Sequence, residues 1–202
     1  MREEDGVMKV KICGITSEED ARMCEELGAD ALGFVFVPGR RRCLPLGEIA
    51  SIASSLTSAV PRVLVCSPRT AAEAEYYFAM SRADILQLHS LGAEDLDDLR
   101  EKGIPVIRAV PPDRSAAVMF ARHADALLFE QGQPGTGTCY DYAEAPVDVC
   151  RFPIIAGGLT IDNLDKALIM KPYAIDVSSG VETIPGKKDR KLVSEFIRRC
   201  KP

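Results

Sequence analysis

The feature that most limits what this chain can fold into is a repeat of short apolar runs. Eight of them begin near Lys9, Ala31, Arg62, Asp84, Pro105, Asp125, Pro153 and Tyr173, and the seven intervals between residues 9 and 173 average about 23 residues. Several runs are unbroken, as in Ala31–Val37 (ALGFVFV) and Ala126–Phe129 (ALLF). Unbroken runs belong to strands covered on both faces, the situation of a parallel sheet, whereas one-sided strands alternate apolar with polar. The segments between the runs read mostly as amphipathic helices. Ser17 is placed to cap a helix whose Ala21, Cys24 and Leu27 share a face and which Gly28 ends. Thr160 is placed to cap a helix carrying Leu164, Ala167 and Leu168, and Leu192, Val193, Phe196, Ile197 and Cys200 form one stripe near the end. Eight strand–helix units in 202 residues predict an α/β fold of one domain. It is a (β/α)8 TIM barrel over residues 9–202, preceded by an N-terminal extension, residues 1–8. A doubly wound open sheet is the competitor, but about five or six strands are usual there.

Composition closes off several functions. The chain is 47% hydrophobic and 27% charged, with a net charge of -5, so nucleic acid is not an expected partner. The longest apolar run is about seven residues, far short of the ~20 that a membrane-spanning helix needs. Met1–Met8 is acidic and polar, unlike a secretory leader. The seven cysteines are odd in number and widely spaced, with no CxxC pair. With only two histidines beside them they suggest neither a disulfide framework nor a metal site. Free thiols without a leader point to a cytoplasmic protein.

A barrel of this kind carries its chemistry at the C-terminal ends of its strands and often holds phosphate after the seventh and eighth. Gly157 and Gly158 follow the seventh run, and Ser178, Ser179 and Gly180 follow the eighth. Glycines let the backbone approach an anion, successive N–H groups form a nest for it, and serine hydroxyls add donors. Cys13 ends the first run, as a thiolate base or as a buried structural cysteine. Glu130 closes the sixth run and Asp176 lies near the end of the eighth. A partly desolvated carboxyl there holds a proton for general-acid work, or else pairs with an inward cation such as Lys11 or Arg108. His89 ends the fourth run, as a ligand contact or a satisfied barrel histidine. Of Arg40, Arg41 and Arg42 after the second run, one is placed to fork onto a carboxylate. Lys187, Lys188, Arg190 and Lys191 read as a solvated run. These residues by themselves describe a cofactor-independent barrel enzyme for a small phosphorylated anion.

The ordered motifs also resemble the phosphoribosylanthranilate isomerase family, over Lys9 to Phe196. They are Lys11–Thr16 (KICGIT), Gly33–Pro38 (GFVFVP) followed by Arg42, Gln87-Leu88-His89, Gly135-Thr136-Gly137 with Tyr140-Asp141-Tyr142, Ala156–Leu159 (AGGL), Asp176–Glu182 (DVSSGVE) and Pro185–Asp189 (PGKKD). The resemblance implies an Amadori rearrangement of N-(5′-phosphoribosyl)anthranilate in tryptophan biosynthesis. The partner would be that small molecule, with no metal or organic cofactor, and the protein a monomer or homodimer. Cys13 resembles the family's general base, and Glu130 stands where the family's acid is an aspartate. Asp176 matches a further acid near the site, Arg42 the arginine for the anthranilate moiety and His89 the fourth-strand motif. Gly157, Gly158, Ser178, Ser179 and Gly180 match phosphate-loop positions. Another phosphosugar barrel enzyme, or a non-catalytic phosphosugar-binding barrel, is the alternative expectation.

Overall fold

A computed structural model describes residues 8–56, 59–132 and 138–201. Its strands are β1 (Lys9–Cys13), β2 (Ala31–Phe36), β3 (Arg62–Cys66), β4 (Ile85–Leu88), β5 (Val106–Val110), β6 (Ala126–Phe129), β7 (Pro153–Ile155) and β8 (Ala174–Val177). Each begins within one residue of its apolar run. Consecutive strands pair in parallel and β8 pairs with β1, which closes the barrel and rules out the open sheet. The helices are α1 (Glu18–Glu26), α2 (Leu46–Ser55), α3 (Ala71–Ser81), α4 (Ala93–Glu101), α5 (Arg114–Phe120), α6 (Leu164–Leu168) and α7 (Arg190–Cys200). Between β6 and β7 the described residues hold a single 3-10 turn, Tyr142–Glu144, where an eighth helix was expected. Residues 1–7 of the expected extension 1–8, and the Gly135–Gly137 motif within 133–137, lie outside the described residues.

The caps follow local chemistry. The Ser17 hydroxyl accepts the Asp20 N–H at 3.1 Å, as expected. Thr160 does not cap α6, because the helix begins at Leu164. The Asn163 side chain folds back instead to accept the Thr160 N–H at 2.8 Å.

Alternation along each strand sorts the core into two shells. Val63, Ile107, Ala109, Ala126, Leu128, Ile154, Ala156 and Ala174 pack together inside the barrel. Their outward neighbours, such as Ile12, Phe34, Leu86 and Phe129, pack beneath helix faces that include Ile49, Leu96, Leu99 and Phe196. Arg108 follows the outward parity of Val106 and Val110. Its guanidinium lies over the Phe120 ring, 4.6 Å from the centroid, and donates to the Leu88 carbonyl at 2.9 Å. It is therefore not an inward partner for a catalytic carboxyl.

The opposite end of the barrel is tied by a device that recurs three times. Ala-Asp-(Ala or Ile)-Leu occurs at Ala29–Leu32, Ala83–Leu86 and Ala124–Leu127. In each case the aspartate just before an even-numbered strand accepts a backbone N–H from the start of the strand before it. Asp30 takes Val10 at 2.8 Å, Asp84 takes Arg62 at 2.8 Å and Asp125 takes Val106 at 2.9 Å. Each satisfies a donor that strand geometry leaves open. Asp84 also grips the Arg62 guanidinium at 2.6 and 2.7 Å.

Asp84→Ala is expected to lower stability by about 1–2 kcal/mol, on the order of 4 °C in Tm, as read by thermal unfolding. The Arg62 side-chain bonds hold the Asp84 carboxyl below its usual range. The stabilisation is therefore complete above the unfolded carboxylate pKa of about 3.9 and is lost as pH falls through the lower folded value. Wild type and variant should converge in strong acid.

Candidate active site

At the C-terminal mouth the strand ends enclose a cavity of about 290 Å³, lined among others by Cys13, Arg42, Glu130, Asp176, Gly157, Gly158, Ser178 and Ser179. Residues from five strand ends or the loops after them, far apart in sequence, thus meet in one hollow.

Cys13 ends β1 and is only 7% exposed. Room for its thiol comes from Gly33, its register partner on β2, where a Cβ would lie 2.8 Å from the sulfur. Gly14 has φ +76, and a side chain there would overlap the Arg42 side chain and the Ser178 hydroxyl. Burial pushes the Cys13 thiol above its ordinary pKa, with Lys11 and Lys188 opposing and Asp176 reinforcing the rise. Lys11 and Asp176 are register partners across the β1–β8 seam, and their side chains form an ion pair of 2.6 Å with both nearly inaccessible to solvent. The first of the two partners offered for Asp176 is therefore the one it has. Burial works against the Lys11 charge, but the Asp176 pairing prevails and holds the ammonium above its usual range.

Glu130 follows β6, and its Oε1 lies 3.0 Å from Nδ1 of His89, which follows β4. The other ring nitrogen, Nε2, faces the Gln87 side-chain amide at 3.4 Å. His89 is thus the partner of the candidate acid. Arg42 meets Glu182 in a two-point fork, Nε to Oε1 at 2.8 Å and Nη2 to Oε2 at 2.6 Å. Burial opposes the charge on Glu182, yet Arg42 and Lys188 hold its carboxyl below the usual range. Glu182 occupies one edge of the guanidinium, and the fork formed by Nη1 and the second Nη2 hydrogen remains oriented away from it.

Lys188 corrects the expectation of a solvated basic run. Lys187, Arg190 and Lys191 are exposed, but Lys188 is buried. It sits on a small hairpin, β9 (Glu182–Ile184) with β10 (Lys187–Lys188). Its ammonium donates to the Cys13 carbonyl at 2.6 Å and the Ser178 carbonyl at 3.2 Å, and pairs with Glu182 at 2.7 Å. Its backbone N–H reaches Asp20 at 3.0 Å. Residue type alone did not reveal Lys188 or Glu182 as site components. The signal was their membership in the PGKKD and DVSSGVE motifs.

The two glycine–serine loops lie side by side. Gly157 and Gly158 take φ +90 and +63. The Gly157 carbonyl is held by the Tyr142 hydroxyl at 2.8 Å, and the Gly158 carbonyl by the Asn163 amide at 2.9 Å. Gly180 does not line the cavity. A Cβ there would run into the Leu159 carbonyl, so this glycine is what lets the eighth loop press against the seventh.

Fold and site together define a (β/α)8-barrel enzyme with its titratable groups gathered at the C-terminal mouth. The family model for N-(5′-phosphoribosyl)anthranilate isomerase matches residues 10–199. The N-(5′-phosphoribosyl)anthranilate isomerase of Geobacter metallireducens is 37% identical over 96% of this chain and 100% of its own length. Among solved structures, the phosphoribosyl anthranilate isomerase of Thermus thermophilus superposes with a TM-score of 0.87 at 37% identity, covering 95% of this chain and 98% of that one. A phosphoribosyl anthranilate isomerase in complex with reduced 1-(o-carboxyphenylamino)-1-deoxyribulose 5-phosphate superposes with a TM-score of 0.84 at 32% identity, covering 96% and 98%. The chain belongs to the N-(5′-phosphoribosyl)anthranilate isomerase family, whose members are isomerases of tryptophan biosynthesis.

Lys188→Met would strip the buried Glu182 of one cation and leave two carbonyls without their donor. Breaking a buried pair in this way costs about 3–5 kcal/mol, and urea unfolding should show a loss of that size.

Proposed function

We propose that this chain isomerises N-(5′-phosphoribosyl)anthranilate to 1-(2-carboxyphenylamino)-1-deoxyribulose 5-phosphate with Glu130 as general acid and Cys13 as general base. The observation that carries the assignment is that both line the same cavity, which also holds Arg42 and the two glycine–serine loops. The phosphate seats on backbone N–H groups of Gly157 and Gly158 and on Ser178 and Ser179, with Gly180 supporting their loop. The anthranilate carboxylate takes the edge of Arg42 that Glu182 leaves.

Glu130 gives its proton to the furanose ring oxygen. The C1′–O4′ bond breaks, its electron pair stays on oxygen, and the nitrogen lone pair forms C1′=N. Cys13, as thiolate, then takes the C2′ proton, and the electrons move through C1′=C2′ back to nitrogen to give an enolamine. C1′ gains a proton and O2′ gives one up, so the ketone forms and both groups return to their starting states. The steps are proton transfers and bond shifts within one molecule, and oxidation at C2′ is matched by reduction at C1′, so no redox partner enters the balance. Glutamate is one methylene longer than the family's aspartate, a reach of about 1.5 Å, and displacement on that scale matters for rate. The bond to His89 fixes where the longer arm ends, so His89 acts on the substrate through Glu130. Asp176, held by Lys11, serves the site as an ionised group. Cytoplasmic location belongs to the same proposal and rests on the free thiols. Among the described residues no helix is long and apolar enough to cross a membrane.

The test is the loss of anthranilate fluorescence when the substrate is generated in situ with no added cofactor. Cys13→Ser and Glu130→Ala should each lower kcat by about 10²-fold or more with little change in KM. Arg42→Lys, which loses the planar fork, should chiefly raise KM. Full kcat in Cys13→Ser would remove the assigned base.

A further inference from the structure

A base must be ionised to act, yet Cys13 lies in surroundings that favour the neutral thiol. The charged groups that face it are few and each comes from a different element: Lys11 from β1, Asp176 from β8, Lys188 from β10 and Arg42 from the loop after β2. Lys188 is committed to Glu182 and to the Cys13 and Ser178 carbonyls, and Arg42 is committed to Glu182. Lys11 is placed differently. It stands two residues before Cys13 on β1, so the alternation of the strand puts both side chains on the same inward face. Its other neighbour is the Asp176 carboxylate at 2.6 Å.

We infer that Lys11 is a positioning residue that makes Cys13 a base, with Asp176 as the counter-ion that keeps the Lys11 ammonium charged and aimed inside the barrel. The assignment rests on Cys13 being the base and adds the group that controls it. An ammonium on the same face beside the sulfur stabilises the thiolate, and does so more strongly in a water-poor cavity than in solvent. Asp176 has two opposed effects. It keeps Lys11 protonated despite burial, and its own negative charge disfavours a second anion at Cys13. The pair thereby sets the pH at which the thiol ionises, without either residue touching the carbon that loses its proton.

The signs give a test that a merely structural role would not pass. The probe is the pH dependence of Cys13 alkylation by iodoacetamide in the substrate-free enzyme, followed by peptide mass spectrometry. The pH profile of kcat is measured beside it. Lys11→Met should move the ionisation of Cys13 to higher pH. At neutral pH, alkylation and kcat should then fall about tenfold for each unit moved, with recovery in alkali. Lys11→Arg keeps the charge and should restore the wild-type profile. Asp176→Asn removes the counter-ion that keeps Lys11 protonated, so it should also move the profile to higher pH, by less than Lys11→Met because the opposing anion goes with it. Lys11→Met leaves Asp176 buried without a cation and endangers folding. The double variant Lys11→Met/Asp176→Asn removes both charges and should fold, with its limb above that of the wild type and below that of Lys11→Met.

An unmoved limb in a folded Lys11→Met or double variant, with kcat simply scaled down, would overturn the proposal. So would a shift of Asp176→Asn to lower pH, which would leave Asp176 as an opposing anion and nothing more. Undiminished kcat in Cys13→Ala would instead remove the base itself, and the role of Lys11 with it.

Discussion

The ladder between β1 and β8 joins the first and last strands of the barrel, and the catalytic mouth exists only because it forms. Lys9, Val10, Lys11 and Ile12 find their partners in Ala174, Ile175, Asp176 and Val177, 165 residues away along the chain. Without this seam the sheet would keep two open edges, and Cys13 would lose its place beside Ser178. The seam also carries the ion pair of Lys11 with Asp176, facing inward in register. A buried pair is weak evidence of net stability, because desolvating two charges offsets much of their attraction. Its presence at the closing ladder, under the thiol of Cys13, fits the role proposed for it toward that thiol.

The mouth is organised as two chains of charge. One runs from Asp176 through Lys11 to Cys13. The other runs from Arg42 through Glu182 to Lys188, whose ammonium returns to the carbonyls of Cys13 and Ser178. The hairpin of β9 and β10 therefore acts as a strap. It fixes the strand end that bears Cys13, the serine loop and the guanidinium with one lysine and one glutamate. Opposite them, Glu130 is steadied by His89. The proposed acid and base thus depend on different supports, which suits a reaction that needs both a proton donor and a proton acceptor.

Much of this was legible in the sequence, for a physical reason. Strands covered on both faces must be apolar throughout, so each of the eight announces itself locally, and a count of eight at near-constant spacing leaves little but a barrel. The glycine–serine loops and Cys13 could be placed because barrel chemistry gathers at strand ends. What escaped was of two kinds. Pairings across long separations have no local signature: Arg42 with Glu182 spans 140 residues, and the Lys188 bond to Cys13 spans 175. Other features were readable but unused. The parity of β5 sends Arg108 outward with Val106 and Val110, and the recurring Ala-Asp pairs mark the three carboxylates that tie the barrel's far end. The turn at Tyr142–Glu144 stands where strand–helix periodicity implied a helix; the connection from β6 to β7 instead holds the Gly157 carbonyl with the Tyr142 hydroxyl and the Gly158 carbonyl with the Cys139 thiol.

The most direct test of the account is a crystal structure of this protein with reduced 1-(o-carboxyphenylamino)-1-deoxyribulose 5-phosphate. The expected result places the phosphate on Gly157, Gly158, Ser178 and Ser179, and the aromatic carboxylate on Arg42. It also places the Cys13 sulfur about 3.5 Å from C2′ and the Glu130 carboxyl within about 3 Å of the hydroxyl derived from the ring oxygen. A ligand bound with its phosphate elsewhere, or with Cys13 and Glu130 both remote from the sugar, would contradict it.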